Sequence, residues 1–167
     1  MTENNNSTTR PTKSWRVNDF EIPALTMSES LQKMSQKRPD EIALSYYGTN
    51  FTYTELQSEI DTCTRAMVAS GIKEGDVLAL CLPNLPAAII AFYAANSLGC
   101  ICNMIHPLSP PRLVEKHLEQ TNSVALFIAD IAVNKLRPLL DSLRSSQQMK
   151  ALVVCGMADH APFWKRP

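Results

Sequence analysis

After a polar start, apolar positions along this chain repeat in two alternating rhythms. Residues 1 to about 20 are dominated by Asn, Ser and Thr without an apolar period, so they read as a flexible polar tail. Trp15, Val17 and Phe20 are its apolar exceptions and are candidates to pack onto the body. From Thr26 the pattern changes. Thr26-Met27-Ser28-Glu29 is a capping box, a threonine followed three residues later by glutamate. Leu31 and Met34 supply the apolar stripe of a first helix, and Pro39 stops it. Glu41 to Tyr47 reads as a strand, Gly48-Thr49-Asn50 as a turn, and Phe51-Thr52-Tyr53 as a short returning strand.

Thr52-Tyr53-Thr54-Glu55 is a second capping box. Behind it Leu56, Ile60, Cys63 and Met67 recur on one helical face, and Gly71 stands where a left-handed C-terminal cap belongs. Lys73 to Asp76 form a polar turn into Val77 to Leu82, an almost wholly apolar run. Such a run marks a strand covered on both faces, as in parallel sheets. The alternation then repeats. Pro86 to Leu98 is a helix, with Gly99 after its end, and Cys100 to Ile105 is a buried strand. Ser109 with two prolines opens a helix to about Glu119, and Val124 to Ala129 is a strand. Asp130 caps a helix to about Leu143, which Pro138 is expected to break or kink. Ala151 to Cys155 is the last strand. The order predicts an α/β fold with a largely parallel sheet flanked by helices and a β-hairpin near the start.

Composition narrows the function classes. At 45% hydrophobic and 19% charged residues, the 167-residue chain can bury a core. Its zero formal charge gives no reason to expect nucleic acid or an anionic membrane as partner. Five cysteines without an apolar leader fit reduced thiols and a cytoplasmic location. Val77 to Ile105 carries no charge, yet Pro83, Asn84 and Pro86 interrupt it, so two short buried elements explain it better than a membrane span.

Several local groupings invite chemistry. Cys100 and Cys102 point the same way on a strand and His106 follows, but a closed zinc site wants four ligands and no second cluster supplies them. His106, His117 and His160 are the only histidines, and no nucleophile-elbow sequence accompanies them. His117 falls between charged residues and reads as solvated. His106 lies in a loop after a strand, where α/β sheets often bind ligands. Asp76 and Asn84 read as loop braces.

Five stretches resemble one family in order. Thr52-Tyr53-Thr54-Glu55-Leu56 is similar to the "TYxEL" opening of adenylate-forming enzymes. The turn from Gly71 to Gly75-Asp76-Val77 resembles their Gly-Asp turn into a strand, and Leu82-Pro83-Asn84 their "LPN". Gly99 with Pro107, and Asn122-Ser123-Val124, resemble two later segments, the second with Asn122 in place of aspartate. The resemblance covers roughly residues 25 to 155. Ile105-His106-Pro107 stands where peptide-synthetase adenylation domains usually carry Leu-Asp-Pro, so the likeness leans toward an acyl- or aryl-CoA synthetase.

The resemblance implies residues 21–167 as the N-terminal portion of an AMP-binding synthetase domain, cut before the phosphate loop. Members of the family activate a carboxylic acid with ATP and magnesium as an acyl-adenylate, then pass it to coenzyme A. Their Ser/Thr/Gly-rich loop ending in Pro-Lys-Gly has no counterpart here. The five glycines, Gly48, Gly71, Gly75, Gly99 and Gly156, are never closer than four residues apart. No catalytic, cofactor-binding or metal residue is therefore assigned to this chain. ATP, Mg and CoA belong to the complete enzyme, and the expected partner is the remainder of the polypeptide or a second copy. The alternative is a free-standing α/β binding module of similar architecture. A membrane-attached protein using residues 85 to 105 is the third reading.

Overall fold

The computed structural model describes residues 24–161. The polar tail, with Trp15, Val17 and Phe20, and the segment 162–167 lie outside the described residues. Among the described residues five helices and six strands follow in the predicted order, with one 3-10 turn in addition. They are α1 (Met27–Lys37), β1 (Ile42–Tyr46), β2 (Thr49–Thr52), α2 (Tyr53–Ala69), β3 (Val77–Cys81) and α3 (Pro86–Ser97). Then come β4 (Ile101–Met104), α4 (Pro111–Thr121), β5 (Ala125–Ala129), a 3-10 turn (Asp130–Ala132), α5 (Val133–Arg144) and β6 (Ala151–Cys155).

Both capping boxes form. The Thr26 and Thr52 hydroxyls accept from the amides of Glu29 and Glu55, each at 3.2 Å, and each carboxylate reaches back to its threonine amide. The hairpin turn differs from the sequence expectation. It sits at Tyr47-Gly48, with φ of 49° and 92°, and Thr49 and Asn50 already belong to β2. A two-residue loop with positive φ at both positions matches the twist of the flanking strands, which a longer turn would not require. Tyr53 accordingly opens α2 rather than closing a strand.

Four strands form a parallel sheet in the order β4-β3-β5-β6, and β1-β2 is a separate antiparallel pair. The apolar runs of β3 and β5 feed two cores. Leu78 and Leu80 of β3 join Ala125, Phe127 and Ala129 of β5 on the side covered by α2 and α3. Ala79 and Cys81 join Leu126 and Ile128 on the other side, under Val114 and Leu118 of α4 and Leu136, Leu139 and Leu140 of α5. Leu78 stands in register with Ala125, Leu126 with Ala79 and Ile128 with Cys81, large against small, whereas Leu80 meets Phe127.

Of the two outcomes expected at Pro138, a break does not occur: α5 runs through it from Val133 to Arg144. Pro138 lies on the exposed side of the helix, while buried Leu136, Leu139 and Leu140 anchor the turns around it. That burial outweighs one lost backbone hydrogen bond. Asp130 does not cap α5, contrary to expectation: it is the first residue of the 3-10 turn, whose N-cap position is Ala129, and Ala132 holds the N-cap position of α5. Asn122 is the left-handed cap of α4 (φ 50°), a conformation asparagine tolerates better than most residues. Among the described residues no helix is long and apolar enough to cross a membrane, and the uncharged run from Val77 divides into β3, α3 and β4.

Candidate functional site

Chain direction reverses between β3 and β5. From β3 the chain leaves through α3 to β4 on one side, and from β5 it leaves through α5 to β6 on the other. Because α3 and α5 lie on opposite faces, the carboxyl ends of β3 and β5 open a crevice of the kind where α/β sheets bind ligands. Leu82-Pro83-Asn84 follows β3 there, and Asp130 follows β5.

Two cavities open along this end of the sheet. One, of about 440 Å³, is walled by Met27, Leu44, Ile89, Phe92, Tyr93 and Met104, with Asn84 also contributing. The other, of about 430 Å³, is walled by Tyr46, Tyr47, Asp130, Ile131, Met157 and Ala158. Tyr46 contributes to both. Its hydroxyl donates to the Met157 carbonyl at 2.9 Å and ties the hairpin across the loop after β6. Burial, then Tyr47 and Asp130, push the Tyr46 phenol above its ordinary value, so it stays a donor.

Asp130 is engaged on both oxygens. Oδ1 accepts from the Ile131 amide at 2.7 Å and Oδ2 from the Met157 amide at 3.3 Å. It joins the loops after β5 and β6, which is a positioning role. Asp159 similarly accepts from the Gly156 amide at 2.7 Å. A Cβ at Gly156 would collide with that carboxylate, so glycine permits the close approach.

The opposite end of the sheet is organised by Asp76. Its Oδ2 accepts from the Lys73 amide at 2.8 Å and from Lys150 Nζ at 2.5 Å, and its carbonyl accepts from the Ile101 amide at 2.9 Å. One residue thus connects the starts of β3, β4 and β6. Burial alone would raise its pKa, but the hydrogen bonds and the charges of Lys150 and Lys73 bring it below the usual value. The brace read from sequence is present; its main partner, Lys150, was not legible. Asn84 is different. Its side chain is exposed on the cavity rim and makes no hydrogen bond among the described residues, so it braces nothing there.

The histidines stand apart from one another. His106 is exposed, and its Nδ1 accepts from the Leu108 amide at 3.2 Å within its own loop. His117 is half-buried rather than fully solvated, on a helix whose polar edge carries its carbonyl to Thr121 Oγ1 at 2.7 Å. His160 packs edge-on against Phe51, with ring centroids 5.5 Å apart. Cys100 donates to the Lys73 carbonyl at 3.3 Å, and Cys102 packs into the core against α3. The described residues contain no group of three or more His, Cys, Asp or Glu able to hold a metal.

All five cysteines are free. Burial, with a smaller effect from Cys100, pushes Cys102 up to about 11. Burial, then Asp159, Cys63 and Asp130, pushes Cys155 up to about 11. The reactive thiolate is correspondingly scarce. At pH 8, alkylation of both in the folded chain is expected to be at least about 100-fold slower than in the urea-unfolded chain, where the pKa returns to about 8.5. Mass spectrometry of timed iodoacetamide quenches measures this, and equal rates in the two states would refute the assignment.

Comparison with known proteins agrees with the architecture. The AMP-binding enzyme family matches residues 31–166. The Bacillus subtilis long-chain-fatty-acid–CoA ligase is 22% identical over 88% of this chain, which spans 26% of that ligase. Nonribosomal peptide synthetase 8 of Aspergillus fumigatus is 26% identical over 82% of this chain, which spans 2% of that synthetase. The chain therefore corresponds to a minor part of either relative. In three dimensions it superposes on the N-terminal domain of FACL13 from Mycobacterium tuberculosis with a TM-score of 0.69 and 20% identity, over 78% of this chain and 34% of that one. That likeness establishes the fold, an α/β subdomain with its hairpin as the sequence predicts. With the family matching most of its length, this chain belongs to the AMP-binding enzymes.

Proposed function

We propose that the chain is the N-terminal part of an ATP-dependent acyl-CoA synthetase of the cytoplasm and supplies scaffold to it. The complete enzyme would activate a carboxylic acid as its adenylate and transfer it to coenzyme A. One observation carries the scaffold reading. The turns at the switch point, Leu82 to Leu85 and Asp130, contain no glycine, and the nearby Asp130 oxygens and Tyr46 hydroxyl are committed to backbone contacts. Among the described residues these turns offer no glycine-rich loop of backbone amides of the kind that cradles a leaving pyrophosphate. The groups that would hold ATP and Mg are assigned to the rest of the polypeptide.

The outer strands fit a part rather than a whole. Among the described residues β4 and β6 each pair on one side only, and Ile101, Met104 and Val154 are more than half exposed. Unpaired strand edges with apolar side chains are ordinarily covered. The remainder of the polypeptide, or a second copy, is the cover proposed here. The test is ATP–pyrophosphate exchange with Mg and a panel of carboxylic acids. This chain should exchange no label above the no-protein blank, and measurable acid-dependent exchange would overturn the scaffold reading.

A further inference from the structure

Strand β6 is held unlike its neighbour. Every residue of β5 is buried, whereas in β6 only Cys155 is, and Val154 is 52% exposed. Among the described residues β6 pairs with β5 alone, in register from Ala151 with Ala125 to Cys155 with Ala129. Apolar burial therefore fixes β6 less firmly than β5. Polar contacts to distant parts of the chain stand at both of its ends.

At the start, Lys150 Nζ meets Asp76 Oδ2 at 2.5 Å, and the Lys150 amide donates to the Val124 carbonyl at 2.7 Å. At the finish, Met157 is gripped by both backbone groups. Its carbonyl accepts from the Tyr46 hydroxyl at 2.9 Å, and its amide donates to Asp130 Oδ2 at 3.3 Å. The five-residue strand between these pins is about 17 Å long, so the pins do not touch each other. Residues 144–148, before β6, are exposed, and Ser145, Ser146 and Gln148 bond within four positions of themselves. Residues 156–161, after it, form a turn in which the Asp159 amide donates to the Gly156 carbonyl at 3.3 Å and the Ala161 amide to the Ala158 carbonyl at 3.0 Å.

We propose that β6 and the turn at 156–161 undock from β5 as one cooperative unit while β3, β4 and β5 stay folded. Ala151, Val153 and Cys155 pack into the core under α2 and α3, and Leu152 into the core under α4 and α5. The strand cannot leave one core and remain in the other, so both side-chain rows and both pins are released together. Undocking also withdraws Met157 and Ala158 from the wall of the 430 Å³ cavity. The unit is thus a cover for that cavity, and an ion pair at the opposite end of the sheet sets part of its hold.

Native-state hydrogen–deuterium exchange of the full 167-residue chain, in a series of low urea concentrations, tests this. Peptides covering residues 150–155 and 156–161 should report one common opening. Its urea slope should be at least about twofold smaller than that of peptides from β3 and β5, because less surface is exposed. Lys150→Met should speed exchange in both peptides at least about fivefold, and Tyr46→Phe in both about two- to tenfold. The two factors should multiply in the double variant. Separate openings of the two peptides would overturn the proposal, as would a variant that speeds only the peptide beside it. So would a urea slope for β6 equal to that of β3 and β5. If a variant fails to fold, the slopes of the parent chain decide alone.

Discussion

Replacing Leu126 by alanine should lower the stability of the chain by about 2–5 kcal/mol in urea denaturation. Leu126 is fully buried in β5, an inner strand, and pairs in register with Ala79 of β3 and Leu152 of β6. Its side chain supplies bulk to the layer beneath α4 and α5, where β3 offers only Ala79 and Cys81. An alanine at 126 would face an alanine at 79, and neither helix can settle into the gap without losing contacts elsewhere. The loss is a large share of the roughly 5–15 kcal/mol that keeps a domain folded. Ile131, also apolar but 66% exposed, is the control, and its replacement by alanine should change stability by no more than about 0.5 kcal/mol. Equal effects at the two positions would mean that the sheet is not packed as described.

The second large effect belongs to Lys150. Its side chain is 27% exposed and that of its partner Asp76 is 12% exposed, so the pair stands between the surface and interior cases. Exposed pairs contribute about 0–1 kcal/mol, and breaking a buried one costs about 3–5 kcal/mol. Lys150→Met should therefore cost about 1–3 kcal/mol, mostly because it strands a partly buried carboxylate. The pH dependence follows from the sign of the shift. Asp76 has a lowered pKa in the fold, so its contribution is present above its unfolded value of about 3.9 and is lost as pH falls through the lower folded value. The stability gap between parent and Lys150→Met should be constant from pH 7 to about 5 and shrink below about 4. A gap that widened on acidification would contradict the assigned pair.

How far these features could be read in advance depended on their range along the chain. Helix α2 was legible because its signals are local: a capping box at Thr52, then Leu56, Ile60, Cys63 and Met67 on one face, then Gly71 with φ of 80°. Strands β3 and β5 were legible because burial on both faces leaves an uninterrupted apolar run. The turn lies at Tyr47-Gly48 and not at Gly48 to Asn50, because Thr49 and Asn50 look like turn residues while their pairing with Tyr46 and Ser45 decides the register. Proline's local propensity predicts a break at Pro138, and the three buried leucines around it, which hold the helix continuous, come from tertiary packing. The Asp76–Lys150 pair joins positions 74 residues apart, and nothing in either neighbourhood announces the other.

The candidate site was the least legible part. Its larger cavity draws walls from α1, β1, the loop after β3, α3 and β4, and no short stretch of sequence contains that combination. Tyr46, common to both cavities, was only one residue of a short strand. By contrast, the spacing of the five glycines is visible in the sequence alone, and it bears on the ATP-binding loop without reference to the fold.

Isothermal titration of the full chain with a non-hydrolysable acyl-adenylate analogue tests the scaffold reading most directly. An AMP-binding fold that supplies architecture but not the nucleotide site should show no saturable heat up to about 1 mM ligand, where binding would be worth only about 4 kcal/mol. Saturable one-to-one binding tighter than about 1 mM would place a working adenylate site within these 167 residues and contradict it.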